Sequence, residues 1–325
     1  MILKFAQRTS VILYNFLARV PKKKTFLLPA NVCPIVPAVY MKAGVPFEFI
    51  DIDLETLEIG AENILSKLKE NPEIYGGIHS VNTYGVNSNN GNLFQKIKNL
   101  NSNYIIIDDR CLQKPEFNCY AMNSDLILYS TGYSKYVDID WGGYGFLSQN
   151  ILFYKNHSLK YEPSNLDDLT ASFYESIKNQ TPLEYKDTEW LGNTNFDKSF
   201  SIFKKEIMNR MPKVEKLKNE INNIYRNEIP NEAQFAEPFQ YWRFNILVNQ
   251  KEILFKKIFS SGLFASSHYY PVNIMFNQPS SPNAEKLYDH VINLFNDFRF
   301  SPKKAVKISK IVKTHVKEYG TLKLN

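Results

Sequence analysis

Cysteine is scarce in this sequence, which has only Cys33, Cys111 and Cys119 among its 325 residues. Their odd number and irregular spacing exclude a disulfide framework and a paired-cysteine zinc motif, and they fit a reducing compartment. No stretch is long and apolar enough to cross a membrane. Lys4 and Arg8 interrupt the apolar opening residues, and no small-residue cleavage site follows, so we expect a first helix rather than a targeting peptide. The sequence therefore predicts a cytoplasmic protein.

Positive charge is present in excess but is not concentrated in a binding motif. The sequence has 39 Lys and Arg against 33 Asp and Glu, which gives a net charge of +6. Most of these lysines are scattered along helical patterns, which is typical of solvated helix faces. There is no nucleic-acid-binding module, metal-ligand spacing or internal repeat. These absences argue against a nucleic-acid partner and against a metal site.

Strand and helix patterns alternate through the first 150 residues. Units of about 30 residues in which strands alternate with helices predict a mostly parallel sheet with helices on both faces. The predicted strands cover residues 25–28, 46–52, 77–81, 104–108, 125–129 and 144–147, and the predicted helices cover residues 10–19, 31–42, 61–70 and 92–100.

The pattern changes after residue 150. We expect a large α/β domain over residues 1–150, a helical connection over 151–230 and a small α+β domain over 231–325. In the third part, the patterns predict a strand at 241–248, helices at 250–260, 283–294 and 302–318, and an extended stretch at 267–272.

One lysine lies between two predicted strands. The apolar run that ends at Tyr129 is followed by a loop containing Lys135 and then by Gly142 and Gly143, which introduce the next strand through a tight turn. A lysine held at a strand end in a partly dry pocket is suited to attack carbonyl groups and form a Schiff base. An ordinary solvated loop lysine is the alternative interpretation of Lys135.

A carboxylate is expected near this lysine. The strand YIIID is followed by Asp109, and the carboxyl ends of parallel strands share one edge of a sheet, so Asp109 and Lys135 are expected to face one crevice. An amine and a carboxylate in this arrangement suit pyridoxal phosphate, whose ring nitrogen needs an acidic partner. A structural salt bridge is the alternative, and Asp108 is the rival carboxylate because successive strand residues point to opposite faces.

Several further motifs occur in an order that resembles the DegT/StrS family of nucleotide-sugar aminotransferases. Members of the family have a serine, four further residues and then the cofactor lysine, followed after a short loop by two glycines. Ser130, Lys135 and Gly142-Gly143 match this pattern. The other matching stretches are FLLPANVCPIVPAVYMKAGVPFEFIDIDLETLEI, NTYG, SSHYYPV and NLFNDFRFSPKKAVKISKIV. This resemblance covers nearly the whole chain.

The resemblance implies the pyridoxal-phosphate fold type I, which is the aspartate-aminotransferase-like fold with a seven-stranded sheet. It implies that Lys135 binds the cofactor, that Asp109 contacts the pyridine nitrogen, and that Ser130 contacts the phosphate. Tyr84 and His268 are the expected substrate contacts, although a lone histidine beside tyrosines is as often structural. A keto sugar that is linked to a nucleotide, glutamate as amino donor, a role in polysaccharide biosynthesis and a homodimer with shared sites are also implied.

The sequence departs from the family at several cofactor positions. The family's Ser-Gly-Thr falls on Ala6, Gln7 and Arg8, and Arg8 is the expected phosphate ligand by charge. The ring-stacking aromatic falls near Cys33, and the position three residues after the aspartate falls on Leu112, with Gln113 one place later. In the family, a Gly-x-Asn-x-Arg loop reaches the partner subunit, and here Asn193 or Asn195 is the corresponding residue. A catalytically lapsed member that binds a partner or a sugar nucleotide is therefore the alternative function.

Overall fold

The computed structural model describes residues 1–21, 24–87, 90–118, 123–192 and 196–322. The strands are β1 (Ile2–Ala6), β2 (Thr25–Pro29), β3 (Phe47–Ile50), β4 (Tyr75–Val81), β5 (Ile105–Asp109), β6 (Leu126–Ser130), β7 (Gly143–Leu147), β8 (Phe244–Leu247) and β9 (Val291–Leu294). The α-helices are α1 (Thr9–Leu17), α2 (Ile35–Ala43), α3 (Ala61–Glu70), α4 (Gly91–Leu100), α5 (Pro163–Asn179), α6 (Phe200–Glu228), α7 (Lys251–Ser260), α8 (Pro282–His290) and α9 (Pro302–Tyr319).

Within the described residues, the first seven strands form one sheet in the order β1-β7-β6-β5-β4-β2-β3. The neighbours from β3 to β6 pair in parallel, whereas β7 pairs antiparallel with both β6 and β1. A mostly parallel sheet has its strand ends on one edge, and its faces must be covered by the connecting helices. The predicted α/β fold with a mostly parallel seven-stranded sheet is confirmed.

The two faces of the sheet are buried in different hydrophobic cores. On β5, Ile105 and Ile107 belong to a core that includes residues of α1 and α2, whereas Ile106 packs in a core with residues of α3 and α4. This follows from the two-residue period of a strand. Because both faces are covered, the strand is an unbroken apolar run rather than an alternating one.

The first strand corrects one prediction. Residues 2–6 were expected to belong to the first helix, but they form the edge strand β1, and the helix starts only at Thr9. Ile2 pairs with Leu147 and Ala6 pairs with Gly143. A short apolar run fits helix and strand equally well, and here the exposed edge of β7 determines which of the two forms.

The C-terminal part has its own hydrophobic core, which α6, α7 and α9 form around the antiparallel pair of β8 and β9. The predicted helix over residues 283–294 is wrong at its end, because α8 stops at His290 and residues 291–294 form β9. These four residues are fully buried against β8, and that pairing outweighs the helical period of the local sequence. The division of the chain at residues 150 and 230 stays a prediction.

None of the helices in the described part of the chain combines the length and the apolar character that a membrane span requires.

Candidate active site

A cavity of about 580 Å³ lies at the carboxyl ends of the parallel strands. The structure brings Lys135, Asp109, Ser130, Arg8 and Cys33 together around it, although they come from four separate segments of the chain. A cavity at this edge is where open α/β sheets bind their ligands. A larger groove of about 760 Å³ runs along α5, but none of the predicted site residues lines it.

Asp109 is the carboxylate at the base of the cavity. Its Oδ1 accepts a hydrogen bond from the backbone N–H of Cys111 at 2.8 Å, and its Oδ2 lies 3.4 Å from Nε2 of His79. Burial alone would raise the pKa of Asp109, but the contacts with His79 and Cys111 outweigh it and lower the pKa. The side chain is therefore ionised at neutral pH even though the residue is only 7% exposed.

The neighbouring Asp108 points to the other side of the strand. Its carboxylate accepts a hydrogen bond from Asn82 at 2.7 Å and forms an ion pair with Arg110 at 2.7 Å. It does not line the cavity. The structure therefore places Asp109, and not Asp108, in the cavity that Lys135 lines, as the alternation of strand side chains requires.

Lys135 lies in the loop between β6 and β7 and lines the cavity with its partly buried side chain. Its backbone N–H donates to the carbonyl of Gly132 at 3.3 Å. The charge of Lys135 counteracts the rise in the pKa of the Cys33 and Cys111 thiols that their burial causes. The amine is thus within electrostatic range of both thiols, which line the same cavity.

The amino end of α1 faces the same cavity through Gln7, Arg8, Thr9 and Ser10. Helix amino ends attract anions because their backbone N–H groups and the helix dipole are oriented toward the ligand. This close packing depends on Gly143, since a Cβ at that position would lie 2.2 Å from the backbone nitrogen of Thr9. The expected glycine of the phosphate motif is absent, but the helix end that would bind an anion is present.

Arg8 is engaged at the mouth of the cavity. Its guanidinium donates to the hydroxyl of Tyr161 at 2.9 Å and lies 5.1 Å from the centre of that ring. Ser130 ends β6, and its Oγ accepts a 3.4 Å hydrogen bond from the N–H of Gly132. Both side chains line the cavity, so both are available to an anion there.

Three of the predicted site residues do not line the cavity. Gln113 is buried and donates to the carbonyl of Val86 at 2.5 Å, which turns its amide away. Tyr84 is fully buried and donates to the carbonyl of His268 at 2.5 Å. Burial lowers the pKa of His268 to about 3, so its ring is neutral, and Nδ1 lies 3.2 Å from the side-chain oxygen of Asn293. The sequence order placed them near the site, but their packing directs these side chains into the surrounding structure.

The predicted partner-reaching residues Asn193 and Asn195 lie outside the described residues. In the described chain there is no cluster of three or more His, Cys, Asp or Glu side chains suited to a metal ion.

Sequence reasoning missed several residues around the cavity. His79 lies within the buried strand β4, where its Nδ1 is 3.2 Å from the hydroxyl of Tyr40. The strand register pairs His79 with Ile107, two residues before Asp109. This register is the information from which the contact between His79 and Asp109 could have been predicted. Trp141 and Trp190 line the cavity but come from loops for which no strand or helix pattern gives a position, and Tyr269 lines it from the predicted extended stretch at residues 267–272.

No family model matches the chain, and no curated protein matches it in sequence. Solved structures do match: the chain has the α/β fold of pyridoxal-phosphate-dependent enzymes of fold type I. Among them are sugar aminotransferases of the DegT, DnrJ, EryC1 and StrS group, so the resemblance is confirmed at the level of the fold.

Three of these structures illustrate the match. Spr1654 of Streptococcus pneumoniae, assigned as a sugar aminotransferase, is 14% identical with a TM-score of 0.69, over 97% of this chain and 87% of that one. A DegT DnrJ EryC1 StrS aminotransferase from Brucella abortus is 15% identical with a TM-score of 0.65, over 97% and 86%. DesI, solved in the presence of its TDP-sugar product, is 10% identical with a TM-score of 0.69, over 97% and 80%.

Proposed function

We propose that this protein is a pyridoxal-phosphate-dependent aminotransferase that acts on a keto sugar. The observation that carries this proposal is the cavity that joins the amine of Lys135, the ionised carboxylate of Asp109 and the amino end of α1. A primary amine, a carboxylate and an anion site are the three groups that the cofactor needs from a protein of this fold. The residues present therefore fit pyridoxal phosphate.

When bound, the cofactor supplies an aldehyde that condenses with amines and a ring that accepts electrons. Lys135 would hold the aldehyde carbon, and its Nζ would carry the proton that moves during transfer of the amino group. Asp109 would accept a hydrogen bond from the protonated ring nitrogen. The contact with His79 supports this role, because it keeps the carboxylate ionised in a buried place.

The phosphate of the cofactor would bind where the amino end of α1 meets the end of β6. Ser130 and Ser10 offer hydroxyl groups there, and Arg8 offers positive charge. Val81 and Leu128 give apolar walls to the same cavity, and Cys33 takes the place at which an aromatic ring is expected. Burial raises the pKa of the Cys33 thiol, so this residue acts as an uncharged wall.

The substrate would enter where the exposed Tyr133, Asp140 and Asp167 line the cavity together with the half-buried Trp141. Aromatic faces with carboxylates beside them suit a polyhydroxylated ring, which has apolar faces and many hydroxyl donors. The TDP-sugar product found with DesI supports a nucleotide-linked sugar. Glutamate as the amino donor and a role in polysaccharide biosynthesis in the cytoplasm complete the proposal, and both rest on the family resemblance.

We include a homodimer with shared sites in this proposal. A phosphate dianion in a half-dry cavity needs more compensation than one helix end, two serines and an arginine already bonded to Tyr161 provide. A second subunit related by a two-fold axis would give each site the same additional donor, for which Asn195 is the candidate. Sedimentation at about micromolar concentration tests this, and a monomer that binds the cofactor tightly would contradict it.

The experiment that tests the proposal is borohydride reduction of the protein after incubation with pyridoxal phosphate, followed by peptide mass spectrometry. We expect the cofactor to be fixed to Lys135 alone and the Lys135→Ala variant to give no fixed cofactor. Lys96→Ala, which changes an exposed lysine of α4, is the matched control and should react like the wild type. Fixation that survives in Lys135→Ala would move the active lysine elsewhere.

A binding protein that has lost turnover is the second candidate. Two observations favour it: Arg8 is bonded to Tyr161, and Cys33 and Leu112 stand at positions where cofactor contacts are expected. Such a protein would give no absorbance change with the cofactor and no amino transfer from glutamate, but would bind a sugar nucleotide in calorimetry. The wild-type absorbance after incubation with the cofactor separates the two candidates.

A further inference from the structure

Ser134, the residue immediately before Lys135, has a left-handed backbone conformation with a φ of 59°. Residues other than glycine adopt this conformation only where neighbouring groups hold them in it. The direction in which the chain presents Lys135 therefore depends on what holds Ser134.

All three polar groups of Ser134 are bonded. Its N–H donates to Oδ2 of Asp138 at 2.6 Å, and its carbonyl accepts from Nε1 of Trp242 at 2.7 Å. Its hydroxyl accepts from the guanidinium of Arg243. Asp138 is itself paired with Arg299. Trp242 and Arg243, which precede β8, thus make two of the three bonds directly. The third bond comes from Asp138, which pairs with Arg299, a residue that follows β9.

Arg243 is unusual for a buried arginine. It is 4% exposed and lies between the rings of Trp242 and Phe295, whose centres are 4.3 Å and 3.8 Å from the guanidinium carbon. None of the ion pairs within the described ranges includes it; it donates instead to the hydroxyls of Ser134 and Ser266. Its pKa is lowered to about 10 by burial. Asp297 acts on Arg243 only as a nearby charge and forms no direct ion pair with it. Burying a guanidinium in this way costs desolvation energy, so a gain in stability does not account for its position.

We propose that Trp242 and Arg243 are positioning residues for Lys135: they hold Ser134 so that the lysine enters the cavity beside Asp109. This inference rests on the proposed function in that it takes Lys135 as the reactive amine. Among the described residues of the C-terminal part of the chain, Tyr269 alone lines the cavity, so this part would act on the site through the lysine loop.

The test measures the rate at which each lysine of the cofactor-free protein is acetylated by a limiting amount of acetic anhydride, with peptide mass spectrometry as the readout. Ser134→Ala removes the bond to Arg243 and keeps the backbone restriction, whereas Trp242→Phe removes the bond to the carbonyl and keeps an aromatic ring. Lys251→Met is the matched control, because it removes a buried cation that does not contact the lysine loop.

We expect the acetylation rate of Lys135 to change by about fivefold in each of the two variants, which is the population change produced by losing one hydrogen bond of ordinary strength. The acetylation rates of the other lysines should remain as in the wild type. In the control Lys251→Met, the acetylation rate of Lys135 should also remain unchanged. Arg243→Met should behave like Ser134→Ala, and Arg243→Lys should restore part of the wild-type rate. Unchanged Lys135 rates in both Ser134→Ala and Trp242→Phe would overturn the proposal.

This readout needs no cofactor, so it is separate from the test of the proposed function. Altered Lys135 rates in a protein that does not bind pyridoxal phosphate would support the positioning role and refute the aminotransferase. If the wild type is fixed to the cofactor at Lys135 but neither variant changes the acetylation rate of Lys135, the aminotransferase is supported and the positioning role is refuted. Melting curves of each variant show whether it is folded, and the two variants that remove single bonds keep the proposal testable if Arg243→Met does not fold.

Discussion

The buried lysine of α6 allows a quantitative prediction about stability and pH. Lys218 is 3% exposed, and its Nζ donates to the carbonyl of Trp242 and to the side-chain oxygen of Asn296, each at 2.8 Å. Burial lowers its pKa from 10.5 to about 7. Between these two values the unfolded chain holds a proton that the folded chain has lost, so the free energy of unfolding rises with pH in this window.

The size of the effect follows from the proton difference. One proton corresponds to about 1.4 kcal/mol for each pH unit. From about pH 7.5 to about pH 9.5, the wild type should therefore gain about 2–3 kcal/mol in unfolding free energy relative to Lys218→Met. The sign is fixed: a base whose pKa is lowered by folding destabilises the protein at low pH and ceases to do so above its unfolded pKa.

Urea unfolding followed by far-ultraviolet circular dichroism, at several pH values, measures this difference. Other groups titrate in the same range, but they are common to both proteins, so the difference between the two curves isolates Lys218. Lys303→Met, which changes an exposed lysine of α9, is the control and should run parallel to the wild type. Parallel curves for Lys218→Met and the wild type would show that Lys218 remains charged in the folded protein, and the reasoning would then fail.

Three further predictions concern the cavity. Gly143→Ala should lower the free energy of unfolding by about 1–3 kcal/mol, because its Cβ would collide with the backbone of Thr9, and an unchanged urea midpoint would contradict this. His79→Phe should raise the pKa of Asp109, since only the contacts with Cys111 then oppose the effect of burial. As the pH falls, cofactor binding followed by fluorescence should therefore be lost at a higher pH than in the wild type; identical pH profiles would argue against this role of His79. Asp109→Asn should still be fixed to the cofactor by borohydride but should transfer amino groups about a hundredfold more slowly in a stopped-flow assay, and full activity would exclude it as the ring partner.

The central strands, and the positions of Asp109 and Lys135 in one cavity, could be predicted from the sequence because each prediction depends on a local sequence pattern. The apolar run that ends at Asp109 and the glycine pair after Lys135 specify a strand end and a tight turn, and topology then brings them together. The parallel sheet follows from the alternation of strands and helices. These features depend on the order of residue types and not on side-chain orientation.

Other features depend on contacts between distant residues, so local patterns could not predict them. The helical pattern runs on through residues 291–294, which become a strand because they pair with β8. Gln113 lies one residue after the expected position, and its amide bonds to Val86 rather than facing the cavity. The role of His79 needs the strand register, and the contacts of Ser134 with Trp242 and Arg243 join residues more than a hundred positions apart.

The cavity is lined by segments that extend from Gln7 to Tyr269. Contacts between residues so far apart in sequence close large loops, and such contacts form late and slowly in folding. A chain emerging from the ribosome would therefore have no place for the cofactor until most of it has been made. On the function proposed above, binding of pyridoxal phosphate would stabilise the folded chain by mass action, so the concentration of pyridoxal phosphate would influence how much folded protein accumulates.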